Sequence, residues 1–173
     1  MACALPLTAA GMTDELTAAL EAARADFLDA LANVDADLVT VPGVMDDWSV
    51  RDLVVHVAAW AEHAVGALDL VAAGRGAEFD YSTDQTDAMN ERFLAEARAT
   101  SPAAALAREE AAFTAFRERL AGLDAGLLRH RLGNGDTVER VVRYDGPDHY
   151  AEHTAHLRAW FGGGDEDGED ADA

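Results

Sequence analysis

The chain has no lysine and a single cysteine, Cys3, in 173 residues. One cysteine excludes an intrachain disulfide, and the expectation that follows is a reducing, cytoplasmic setting. All basic charge is therefore arginine: 13 basic residues stand against 33 acidic ones, for a formal charge of -20. A surface this negative repels phosphate backbones and anionic headgroups, which argues against nucleic-acid and membrane partners. No apolar run reaches the ~18 uncharged residues of a membrane-spanning helix, and no internal repeat is visible. The opening MACALPLTAAG lacks the basic segment of a signal peptide.

Half of the residues are hydrophobic, enough for one domain with a sizeable core. Residues 1–12 read as a flexible extension, 13–162 as the folded domain, and 163–173, an acidic run after a glycine hinge, as a disordered tail. A start at Met12, with Thr13 capping the first helix, is an alternative the sequence leaves open. Apolar residues recur every three or four positions at Leu16, Leu20, Ala23, Phe27, Leu31 and Val34, the stripe of an amphipathic helix. Val41-Pro42-Gly43 interrupts it. Ser49 followed by Asp52 reads as a capping box opening a second helix, which Gly74-Arg75-Gly76 ends.

Asp84–Ala99 reads as a shorter helix. Ser101-Pro102 starts another, with Leu106, Phe113, Phe116 and Leu120 as its inner face. From Gly122 to Gly146 the pattern is that of a long connection, with β-prone residues from Thr137 to Tyr144. Gly146-Pro147 opens the last helix. Four principal amphipathic helices define an all-α fold, a four-helix bundle.

Histidine is scarce, six in all, yet several fall on core-facing stripes. His149 and His153 are spaced i, i+4, so their imidazoles point the same way one turn apart. His56 sits in the apolar stripe of the second helix, where an unpaired buried imidazole costs roughly 1–3 kcal/mol. A third ring from a packed neighbouring helix closes a three-nitrogen site with an open position, suited to zinc or a similar divalent ion. The competing reading is a set of core histidines that only hydrogen-bond. His156 lies a turn beyond and reads as a residue behind the ligands, a base, or packing beside Trp160. His63 reads as partly exposed and structural, and His130 as a loop residue without a specific role.

Trp48-Ser49-Val50-Arg51-Asp52-Leu53 with His56-Val57-Ala58-Ala59-Trp60 resembles the second-helix signature of the DinB-like (DinB/YfiT-like) four-helix proteins. His149-Tyr150 with Glu152-His153 resembles their last-helix motif. Met89-Asn90-Glu91 and the His-x-x-x-Trp of the second helix are closest to the ClbS/DfsB subgroup. The resemblance spans about Thr13 to Phe161. It implies up-down-down-up topology with a long helical crossover between helices 2 and 3. It also implies zinc or nickel held by His56, His149 and His153, and relatives of this kind often form homodimers.

Several such proteins use a low-molecular-weight thiol, such as bacillithiol, mycothiol or glutathione, to attack an electrophile; others act as hydrolases. The implied function is a metal-dependent transferase or hydrolase acting on small electrophilic molecules in stress or detoxification. The alternative is a non-catalytic module that binds a small molecule or toxin without metal. Asn90, Tyr150 and Trp60 are candidates for the pocket wall, with helix surface or core as the plainer reading. Glu152 reads as a solvent-facing charge, Arg158 as facing away, and Asp52 as a cap.

Overall fold

Ser49 fixes where the second helix begins. Its side chain accepts the Asp52 N–H at 3.3 Å, and the Asp52 carboxylate accepts the Ser49 N–H at 2.9 Å, so two helix-terminal donors are satisfied reciprocally. The computed structural model describes residues 9–162. It comprises helices α1 (Ala9–Ala32), α2 (Val50–Ala72), α3 (Thr86–Arg98), α4 (Pro102–Ala121), α5 (Val138–Arg143) and α6 (His149–Gly162). A two-stranded antiparallel ribbon, β1 (Pro42–Met45) with β2 (Trp48–Ser49), precedes α2. α1, α2, α4 and α6 form the up-down-down-up bundle, and α3 lies in the crossover between α2 and α4.

α2 is the central helix, packing most extensively on α4 and also on α3, α5 and α6. Leu53, Val57, Ala64 and Leu68 are buried along it. Among the described residues it alone is long and apolar enough to cross a bilayer by length and composition, and 67% of its most apolar window is buried inside the protein. That is how the core helix of a bundle reads.

Three expectations are corrected, and one, the break at Val41–Gly43, is refined. α1 begins at Ala9, so residues 9–12 are helical and Thr13 lies within the helix instead of capping it. Its carbonyl accepts the Thr17 hydroxyl at 2.8 Å, a mid-helix contact. Val41–Gly43 leads into the ribbon, not merely a break. Thr137–Tyr144 is not extended: Thr137 accepts the Arg140 N–H as an N-cap, and Val138, Val141 and Val142 bury one face of α5. Leu106 is 48% exposed, whereas Glu109, at 1%, occupies the inner face of α4. The expected acidic tail, 163–173, and residues 1–8 lie outside the described residues.

Glu109 is tolerated inside because both of its oxygens are paired. Its two oxygens take Arg24 Nε and Nη2, both at 2.9 Å, and Oε1 also accepts the Tyr150 hydroxyl at 2.6 Å. The Arg24 guanidinium stacks 4.2 Å over the Phe113 ring. α1, α4 and α6 are thus tied by one buried network, and burial together with the Glu109 charge raises the Tyr150 phenol above its ordinary range. Glu109→Ala strands Arg24 and the Tyr150 hydroxyl, and should destabilise the fold by about 3 kcal/mol, against about 1 kcal/mol for Tyr150→Phe. Urea-unfolding midpoints of the two variants check the ranking.

Candidate metal centre

α6 is aimed by a kink. A π-turn over Tyr144–Asp148 joins α5 to α6, with Gly146 at φ -114°, ψ -109°. A Cβ on Gly146 would lie 2.9 Å from the Phe116 ring, so only glycine allows this close approach. The neighbouring Asp145 carboxylate, 3% exposed, accepts the His63 Nδ1–H at 2.7 Å and fastens the turn to α2. His149 and His153 then emerge from the first turns of α6 opposite His56.

The three rings meet at the contact between α2 and α6. His56 and His149 bring their Nε2 atoms to 2.9 Å, and ring centroids within the trio are 4.5–4.8 Å apart. One ligand nitrogen from each can be chosen so that all lie within 4.8 Å of one another, close enough to hold a metal. All three side chains are buried, yet His56 Nδ1, His149 Nδ1 and His153 Nε2 have no hydrogen-bond partner. Buried nitrogens left without a protein partner in such a cluster fit a site that an ion completes.

Burial pushes His56 down from 6.5 to about 4. Burial, and then the neighbouring His56, push His149 to about 3, and His153 is lowered further by burial and the adjacent imidazoles. Near neutral pH the rings are uncharged and carry the lone pairs a metal ligand requires. The donor set fits a borderline divalent ion.

His156 stands behind this trio. Its Nδ1 is 3.2 Å from His153 Nδ1, and in the tautomer where His153 donates, His153 Nε2 is left as the free acceptor. Trp48 packs edge-on against His56, and Trp60 against both His56 and His149. Trp60 Nε1–H donates to Asn90 Oδ1 at 3.1 Å, so α3 closes the site. A cavity of about 170 Å³ opens on the trio, with Trp60, Asn90, Thr86 and Met45 in its walls. Trp60 and Asn90 thus line the cavity, although core and helix surface were the plainer readings of them.

Tyr150 does not. One residue past His149 turns it about 100° toward Glu109 and the core, away from the cavity. Glu152, expected to face solvent, is exposed but also lines the cavity. Its position three residues after His149 was the available signal. Tyr144 and Met45 also line the cavity, and no pattern in the sequence marks either. His63, expected to be partly exposed and structural, holds Asp145. His130 is exposed in its loop.

This is a DinB-like helical bundle carrying a three-histidine cluster. The chain belongs to the mycothiol maleylpyruvate isomerase N-terminal domain family, whose model matches residues 20–159. That family lies within the DinB/YfiT-like superfamily; the motifs had pointed to the ClbS/DfsB subgroup within it. Among solved structures, an uncharacterised protein from Escherichia coli UTI89 is similar, with a TM-score of 0.75 and 19% identity over 87% of this chain and 93% of that one. At that identity the likeness shows the fold. No curated protein matches.

The depressed imidazoles also make stability depend on pH. In metal-free protein the unfolded chain binds protons near pH 6.5, whereas His56 and His149 resist protonation until about pH 4 and 3. Their cost is absent above about pH 6.5 and grows as pH falls toward 4. Thermal melts from pH 7 to pH 4 should show the wild type losing more stability than a His56→Leu/His149→Leu variant. Parallel curves would mean the rings carry no such penalty.

Proposed function

We propose that this chain is a divalent-metal-dependent S-transferase, joining a low-molecular-weight thiol of the mycothiol type to a small electrophile. The observation that carries the reading is the convergence on one cavity of three buried, neutral imidazoles, each with one ring nitrogen that no protein group satisfies. The family's name supplies the thiol. His56, His149 and His153 would hold zinc or nickel. Such an ion lowers the pKa of a bound thiol by several units and so provides a nucleophile at neutral pH.

The remaining groups divide the work by position. His156 fixes the His153 ring. Glu152 is the carboxylate on the cavity and takes the thiol proton; as the sulfur bonds to the electrophilic carbon, the electron pair of the bond broken there passes to the electrophile's oxygen, which Glu152 then protonates. Asn90 accepts from Trp60 through its oxygen, which leaves its amide N–H groups to donate to an oxygen of the electrophile. Trp48 and Trp60 keep water from the buried side of the rings.

Zinc- or nickel-loaded protein should turn over a model electrophile only when a thiol is added, and His149→Ala should lower the rate by at least about a hundredfold. Turnover that is indifferent to mycothiol, glutathione and bacillithiol would instead make the site a hydrolase centre, with water as the nucleophile. Ligand binding without turnover, unaffected by His149→Ala, would favour the binding-module alternative.

A further inference from the structure

The cavity on the histidines, about 170 Å³, is smaller than the ~300 Å³ at which small-molecule sites generally begin. It can take a thiol group and part of an electrophile. The rest of a thiol cosubstrate must lie elsewhere.

A second cavity of about 230 Å³ adjoins it. Tyr144, 62% exposed, lines both. They are linked again by the hydrogen bond between the hydroxyls of Tyr81, in the second cavity, and Thr86, in the first. Two cavities sharing a wall at the reacting centre are arranged for one elongated ligand.

The second cavity is preorganised. Asn134 Nδ2 donates to Asp136 Oδ2 at 3.2 Å, and the Asp136 N–H donates back to Asn134 Oδ1 at 3.1 Å. The loop that carries them is pinned by Gly133 N–H to Gly76 O at 3.0 Å and Asn134 N–H to Phe79 O at 2.9 Å. A Cβ on Gly133 would stand 2.3 Å from the Ala77 carbonyl oxygen, so the approach requires glycine. The hydrogen-bonded His63–Asp145 pair also lines it.

Its chemistry selects a class of ligand. Arg140 is the one guanidinium in the wall, and its Nε lies 3.2 Å from Asp136 Oδ1. With Asp136 and Asp145 set against it, the wall does not favour a polyanion. Donors from Arg140 and Asn134 alternate with acceptors from Asp136 and the Thr83 hydroxyl, the mixture that sugar-like hydroxyls match because each both donates and accepts. Tyr144 adds an aromatic face at the junction.

We infer that this second cavity is the subsite for the neutral polyhydroxylated body of the thiol cosubstrate, held by Arg140, Asn134 and Asp136 and guided past Tyr144 so that the sulfur reaches the histidine cluster. The inference rests on the thiol-dependent reading above. It assigns to Arg140 and Asn134 selection of the thiol, with no part in the chemical step.

Calorimetric titration of zinc-loaded protein with mycothiol, its S-methyl thioether and N-acetylcysteine tests it. Mycothiol carries a pseudodisaccharide, the thioether keeps that body but masks the sulfur, and N-acetylcysteine keeps only the thiol end. The thioether should bind, and Arg140→Ala and Asn134→Ala should each weaken both mycothiol and the thioether by about tenfold while leaving N-acetylcysteine unchanged. Arg140 is 75% exposed, so its removal does not threaten folding. Unchanged affinity in both variants would overturn the subsite. So would mycothiol binding without thioether binding, although the thiol reading would then stand. Failure of mycothiol itself to bind would overturn both.

Discussion

Three imidazoles packed against one another without enough protein partners are the constraint on which the rest of this structure depends. Two of them bring Nε2 atoms to 2.9 Å. If protonated they would repel at that distance in a medium that hardly screens charge; if neutral they leave lone pairs and N–H groups buried and unsatisfied. Such a cluster persists only where surrounding packing dictates it. Here α2 supplies His56 from its buried stripe, and α6 supplies two rings from consecutive turns.

The supports lie beside the rings, around α6 and further along α2. Glu109 draws in Arg24 and Tyr150, anchoring the core side of α6 to α1 and α4. His63 holds Asp145, two turns along α2 from His56, so the turn preceding His149 cannot drift. Gly146 allows that turn to press against Phe116. Glu109 and Asp145 thus serve the same end: they set the rotation and height of α6 relative to α2, which decides whether the His149 and His153 rings reach His56. Strain or unsatisfied polarity at a site, offset by packing elsewhere, is common where function demands it.

The bundle and the His149/His153 pair were legible in local periodicity, whereas the joining of His56 to them was implied by the resemblance to the DinB-like proteins. The capping box at Ser49 and Asp52 and the i, i+4 spacing of His149 and His153 depend on residues within one turn of each other. What the sequence did not disclose depends on distant partners. Glu109 was not singled out because nothing near it names Arg24, 85 residues away, and Leu106 was placed in the expected inner face instead. Tyr150 was drawn toward the site by adjacency to His149, although one helical step rotates it to the core. The valines of α5 look β-prone in isolation; the Thr137 cap and burial against α2 override that preference.

The central claim is that the trio holds a metal ion. Elemental analysis of purified, tag-free protein, with a His149→Ala/His153→Ala variant prepared in parallel, tests it most directly. The account predicts about one zinc or nickel per chain in the wild type and none in the variant, a stoichiometry that follows from one three-nitrogen site. Wild-type protein that remains metal-free after incubation with either ion, or a variant that retains the same metal content, would contradict it.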